Sequence, residues 1–95
     1  MDLRVNSVHF DADVKLVDFV NQKVNKLGTY HNGLISGEVF LKVDKNSEKD
    51  NKVAEVKLHA AGADFFAKKQ CKTFEEATDL AVDALKRQIE KNKAR

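Results

Sequence analysis

The chain has 95 residues, of which 34% are charged, with 17 Lys and Arg against 15 Asp and Glu and a net charge of +2. That length suits one domain over residues 1–95, burying roughly 60–65% of its unfolded surface around one modest core. No apolar run approaches the roughly 18–20 residues a bilayer requires, no signal-peptide core follows Met1, and the lone Cys71 excludes an internal disulfide, so a folded cytoplasmic protein is expected.

In chain order, Leu3 and Val5 alternate with Arg4 and Asn6, the pattern of a strand with one buried face. Asp11 or Asp13 is placed to cap a helix in which Leu16, Phe19, Val20, Val24 and Leu27 recur at spacings of three and four, and Gly28 reads as its stop. A loop over 29–34 leads to a second strand, 36–43, with Val39, Leu41 and Val43 on one side and Glu38, Phe40 and Lys42 on the other. The charged stretch 44–52 is a hairpin loop. In the third strand that follows, Ala54, Val56, Leu58 and Ala60 alternate with Val53, Glu55, Lys57 and His59. A turn around Gly62 opens a fourth strand in which Phe65 and Ala67 alternate with Phe66 and Lys68.

The final segment, Thr73 to Arg95, reads as one helix. Thr73 and Glu76 have the spacing of a capping box, and Phe74, Ala77, Ala81, Leu85 and Ile89 form an apolar stripe with Arg87 and Lys91 on the opposite side. The helix begins acidic at Glu75 and Glu76 and ends in Lys86, Arg87, Lys91, Lys93 and Arg95. Each charge suits the helix dipole by a few tenths to about one kcal/mol, yet five cations against Glu90 exceed what a helix end requires.

The order is therefore βαβββα. A strand, a helix and a second strand most economically form a parallel crossover, and the three later strands continue as an antiparallel meander. The expected architecture is α/β, a two-layer α+β sandwich: a four-stranded mixed sheet with both helices on one face.

Charge is uneven along the chain. Residues 1–50 carry seven Lys and Arg against eight Asp and Glu, and residues 51–95 carry ten against seven. On the first helix Lys15, Gln22 and Lys26 share a flank, with Lys23 between them and the apolar stripe. If the helices lie side by side, that flank and Arg87 with Lys91 line a shared positive groove suited to nucleic-acid backbone, although ordinary solvated lysines give the same pattern and Asp18, Asp79 and Asp83 dilute the field. Phe40 and Phe66 point to the other sheet face beside Lys42, Lys57, His59 and Lys68. That arrangement resembles a base-stacking platform but lacks the RNP pattern, and it equally suits a protein-interaction patch.

Catalytic chemistry finds no foothold. His9, His31 and His59 have no metal-ligand spacing, there is no Gly-rich phosphate loop or nucleophile elbow, and nothing orients Cys71 with His59. No enzyme, metal or cofactor is expected.

Three segments carry a family likeness: LVDFVNQKVNKL (16–27), LKVDK (41–45) and TFEEATDLAVDALKRQIEKNK (73–93). Together they resemble the hibernation-promoting factor and ribosome-associated inhibitor A family. Leu85, Arg87, Gln88, Ile89, Lys91 and Lys93 match its RQLxKxK-like helix end, and Lys23, Lys26 and Leu27 match its KxxKL-like helix. Thr73 and Glu75 depart from it, standing where many members have aspartate and tyrosine.

The resemblance implies a fold akin to double-stranded-RNA-binding domains and binding to small-subunit rRNA in the channel used by messenger and transfer RNA. It implies translation inhibition in idle ribosomes of stressed or stationary-phase cells. Lys23, Lys26, Arg87 and Lys91 are the rRNA-facing cations it implies, and the charge reading adds Lys86, Lys93 and Arg95. A chain ending at Arg95 resembles the short form without a C-terminal dimerisation domain, and a monomer with no membrane or small-molecule partner is expected. The alternative is a non-ribosomal interaction module, such as a transcription modulator, using the Phe40 and Phe66 face.

Overall fold

Strand β1 (Asp2–Ser7) leads to helix α1 (Val14–Asn25), a 3-10 turn (Lys26–Thr29), strands β2 (Leu34–Val43), β3 (Lys52–Ala60) and β4 (Ala63–Cys71), and helix α2 (Phe74–Lys93). This is a computed structural model that describes residues 1–93, so Arg95 lies outside the described residues. The strands lie in the order β1-β2-β3-β4, with β1 parallel to β2 and the other pairs antiparallel. The expected βαβββα two-layer sandwich is the one observed.

Both helices begin at side-chain caps. The Asp13 carboxylate accepts the Lys15 N–H at 3.0 Å, and the Thr73 hydroxyl accepts the Glu76 N–H at 3.1 Å. Each satisfies a donor that the first helical turn leaves without a partner. The end of α1 differs from expectation: Gly28 does not take a positive φ, and the helix instead tightens at Lys26 into the 3-10 turn, where the Tyr30 N–H donates to the Leu27 carbonyl.

The core lies between sheet and helices. Val20, Val24 and Leu27 from the α1 side meet Val39, Leu41, Val56 and Leu58 from the sheet and Ala77, Ala81, Leu85 and Ile89 from α2, all without solvent exposure. Each large apolar side chain so buried contributes about 1.5–3 kcal/mol. Gly37 leaves room for this packing. A Cβ there would stand 2.8 Å from Leu58 Cδ2 and 3.0 Å from Leu3 Cδ1, which cross over the bare backbone. The Phe10 ring stacks on Phe74 at 5.1 Å, joining the bend after β1 to the start of α2.

Two sheet residues depart from simple alternation. Strict period-2 reading from Val39 would turn Ile35 inward, but a bulge between Leu34 and Ser36 resets the phase. Leu34 then opposes Ala60 and is buried, while Ile35 is 61% exposed. Val43, expected in the core, is exposed at the last rung of β2, bordered by Val8, His9 and Phe10.

The edge of β4 is sealed by a side chain. Gln88 of α2 donates its amide to the Phe66 carbonyl at 2.7 Å and accepts the Phe66 N–H at 3.3 Å, completing a rung as a strand would.

Candidate nucleic-acid interface

Helix phase decides which cations meet. Leu85 and Ile89 fix the buried line of α2, and at roughly 100° per residue Lys86 turns to one flank, Arg87 to the back, and Lys91 to the opposite flank. The flank bearing Lys86 faces α1. There Lys23, Lys26, Leu27 and Tyr30 meet Asp79, Leu80, Val82, Asp83 and Lys86 around a groove of about 330 Å³.

Of the expected site residues, Lys23, Lys26 and Lys86 are brought together. Arg87 and Lys91 do not line this groove, which corrects the reading that paired them with the α1 flank. Arg87 is exposed and approaches Asp83 one turn earlier at 4.0 Å. Lys91 borders a separate depression with Phe65, Gln88 and Asn92 on the β4 side. Lys93 is exposed at the end of α2, about two turns beyond Lys86. The physical reason lies in the periodicity itself: Arg87, diametrically opposite the buried stripe, points to solvent, and Lys91 leaves the helix on the flank away from α1, so neither lines the groove.

Within the groove two of the three cations are held by neighbours. The Lys23 ammonium lies 3.4 Å from Asp79 across the two helices and 5.5 Å from the Phe19 ring centroid. The Lys86 ammonium lies 4.8 Å from the Tyr30 ring centroid. The Thr29 hydroxyl donates to the Lys26 carbonyl at 2.7 Å and steadies the turn that delivers Tyr30. Three lysines against two aspartates leave a modest positive balance, and the exposed Lys23–Asp79 pair is worth only about 0–1 kcal/mol. Tyr30 and Leu80, 39% and 48% exposed, were missed by charge-based reading.

The outer sheet face is self-neutralised. Glu55 sits 2.9 Å from Lys42 and 3.7 Å from Lys68, and His59 Nδ1 is 2.9 Å from Asp64. Phe40 is half-buried with Lys57 over its ring at 5.6 Å, while Phe66, opposite Lys57, is 49% exposed. All four basic side chains expected to flank a stacking platform are thus engaged locally.

Elsewhere, Cys71 is buried, and burial, with the nearby Glu76, pushes its thiol above the usual range, away from nucleophilic thiolate. Among the described residues no group of three or more His, Cys, Asp or Glu is placed to hold a metal ion, and no helix is long and apolar enough to cross a membrane.

Fold and site thus define a small βαβββα domain with a lysine-bearing groove between its helices. The family model described as sigma 54 modulation protein / S30EA ribosomal protein matches residues 3–95. The chain belongs to that family. It is 29% identical over 93 residues to the ribosome hibernation promoting factor of Azotobacter vinelandii, covering 98% of this chain and 83% of the relative. Among solved structures, the N-terminal domain of Thermus thermophilus Protein Y superposes with a TM-score of 0.82 at 22% identity, covering 97% of this chain and 99% of that one. A ribosomal subunit interface protein from Coxiella burnetii gives 0.88 at 16% identity over 100% of both chains. At those identities the two structures speak to fold alone.

Proposed function

We propose that this protein is a ribosome hibernation factor that binds rRNA of the small subunit in the messenger and transfer-RNA channel and blocks translation by occupancy. The observation that carries the reading is the convergence of Lys23, Lys26 and Lys86 from two helices on one groove, in a chain of this ribosomal family. Cationic side chains neutralise phosphates and release counterions, and the rigid two-layer domain fills space that mobile ligands need. No bond is made or broken. Arg87, Lys91 and Lys93 extend the cationic surface of α2 outside the groove, and the domain works as a single cytoplasmic monomer.

Sedimentation with purified small subunits tests this. One phosphate contact from each of the three groove lysines implies roughly 20- to 40-fold weaker binding between about 50 and 200 mM salt. Replacing Lys23, Lys26 and Lys86 together by Glu should abolish co-sedimentation with an unchanged circular-dichroism spectrum. Wild-type protein that stays in the light fractions at low salt would end the proposal.

A further inference from the structure

The groove contains more than a phosphate site needs. Two carboxylates, Asp79 and Asp83, stand among its three lysines, and its wall exposes Tyr30 and Leu80. Carboxylates repel phosphate, but they accept hydrogen bonds from the exocyclic amines of bases, and an exposed aromatic ring beside cations is the element on which unpaired bases stack.

We propose that Tyr30 is a base-stacking residue and that the groove takes an unpaired nucleobase of a single-stranded RNA segment, rather than duplex backbone alone. This rests on the rRNA-binding reading above and specifies its ligand. The backbone around Tyr30 is fixed in advance of any ligand, since the Tyr30 N–H is tied to the Leu27 carbonyl at 3.0 Å and the preceding residue, Thr29, is tied to Lys26. The Lys86 ammonium already occupies a ring-facing position 4.8 Å from the centroid. A base that takes its place gains the ring, and the displaced ammonium reaches the phosphate of that nucleotide. Asp79 and Asp83 then meet the base edge, while Lys23 and Lys26 hold the flanking backbone. The groove volume of about 330 Å³ lies in the range of small-ligand sites.

The chain has one tyrosine and no tryptophan, so tyrosine fluorescence reports Tyr30 alone. Purified protein is titrated with a single-stranded oligocytidylate of about ten nucleotides, whose bases carry the exocyclic amine, and, separately, with inorganic polyphosphate, each corrected for absorption against free tyrosine. Quenching is expected with the RNA and none with polyphosphate. Tyr30→Leu should lose roughly 5- to 100-fold in RNA affinity and less than about twofold in polyphosphate affinity, with Tyr30→Phe close to wild type. RNA binding without quenching, or equal losses for both ligands in Tyr30→Leu, overturns the stacking role and leaves the rRNA-binding reading standing. So does retention of small-subunit binding by a protein that ignores oligocytidylate. Failure to bind small subunits as well overturns both.

Discussion

Comparing Lys86→Glu with Lys91→Glu separates the position of a charge from its mere presence. Each reversal removes one positive and adds one negative charge, taking the net charge from +2 to 0, so the two variants differ only in where the change falls. Lys86 stands in the groove, where three lysines face two aspartates; reversal leaves two cations against three anions and turns the local balance negative. One lost phosphate contact lowers the log–log salt slope by about 0.9, and lost attraction plus new repulsion should weaken small-subunit binding roughly 10- to 30-fold at about 100 mM salt. Lys91 lies on the far flank beside Phe65 and Gln88, so its reversal should cost less than about threefold. Folding is little affected, because an exposed cation–π contact such as Lys86 with Tyr30 is worth about 0.5–1 kcal/mol. Quantitative sedimentation over a salt series supplies the comparison. Equal losses for the two variants would refute the assignment of the binding surface to the groove, and a larger loss for Lys91→Glu would move that surface to the β4 flank.

Further outcomes concern the scaffold. The Thr78 hydroxyl is fully buried with no hydrogen-bond partner, so Thr78→Val should stabilise the fold by about 1 kcal/mol in urea unfolding, and a lower midpoint would mean that the hydroxyl is satisfied. Gln88→Ala should cost about 1–2 kcal/mol and speed hydrogen exchange at the Phe66 amide, because both bonds that seal the β4 edge are lost; unchanged exchange would show that they contribute nothing. The Asn46 N–H, then the Gln70 amide, hold the Asp44 carboxyl below the usual carboxylate range. A lowered folded value stabilises the folded form above the unfolded pKa, and that contribution disappears as pH falls through the folded value. Asp44→Asn should therefore flatten part of the acid-side loss of stability in urea midpoints measured from about pH 6 to pH 3, and an unchanged slope would contradict the linkage.

The architecture was legible because local signals agreed. Asp13, Thr73 and the stripe from Phe74 to Ile89 mark helix starts and buried faces in residue types alone, and alternation in 54–60 marks a half-buried strand. Two sheet positions were not legible for a common reason. The Leu34 bulge and the exposure of Val43 depend on what lies opposite and above each residue, which period-2 counting does not contain. The groove was half legible. Periodicity placed Arg87 and Lys91 away from the buried stripe of α2, but which flank faces α1 is set by how the helices dock on the sheet, and that choice selects Lys86. Tyr30 escaped notice because charge was the signal sought, and an aromatic residue after a helix end reads as packing until its exposure is known.

Which face of the domain meets the ribosome is read directly from a cryo-electron map of the small subunit with this protein bound. The groove between α1 and α2 is expected to face rRNA, with Lys23, Lys26 and Lys86 within reach of phosphates and the outer sheet face turned to solvent. A bound domain presenting Phe66 and the outer sheet face to the ribosome, with the groove open to solvent, would be incompatible with recognition through the helices.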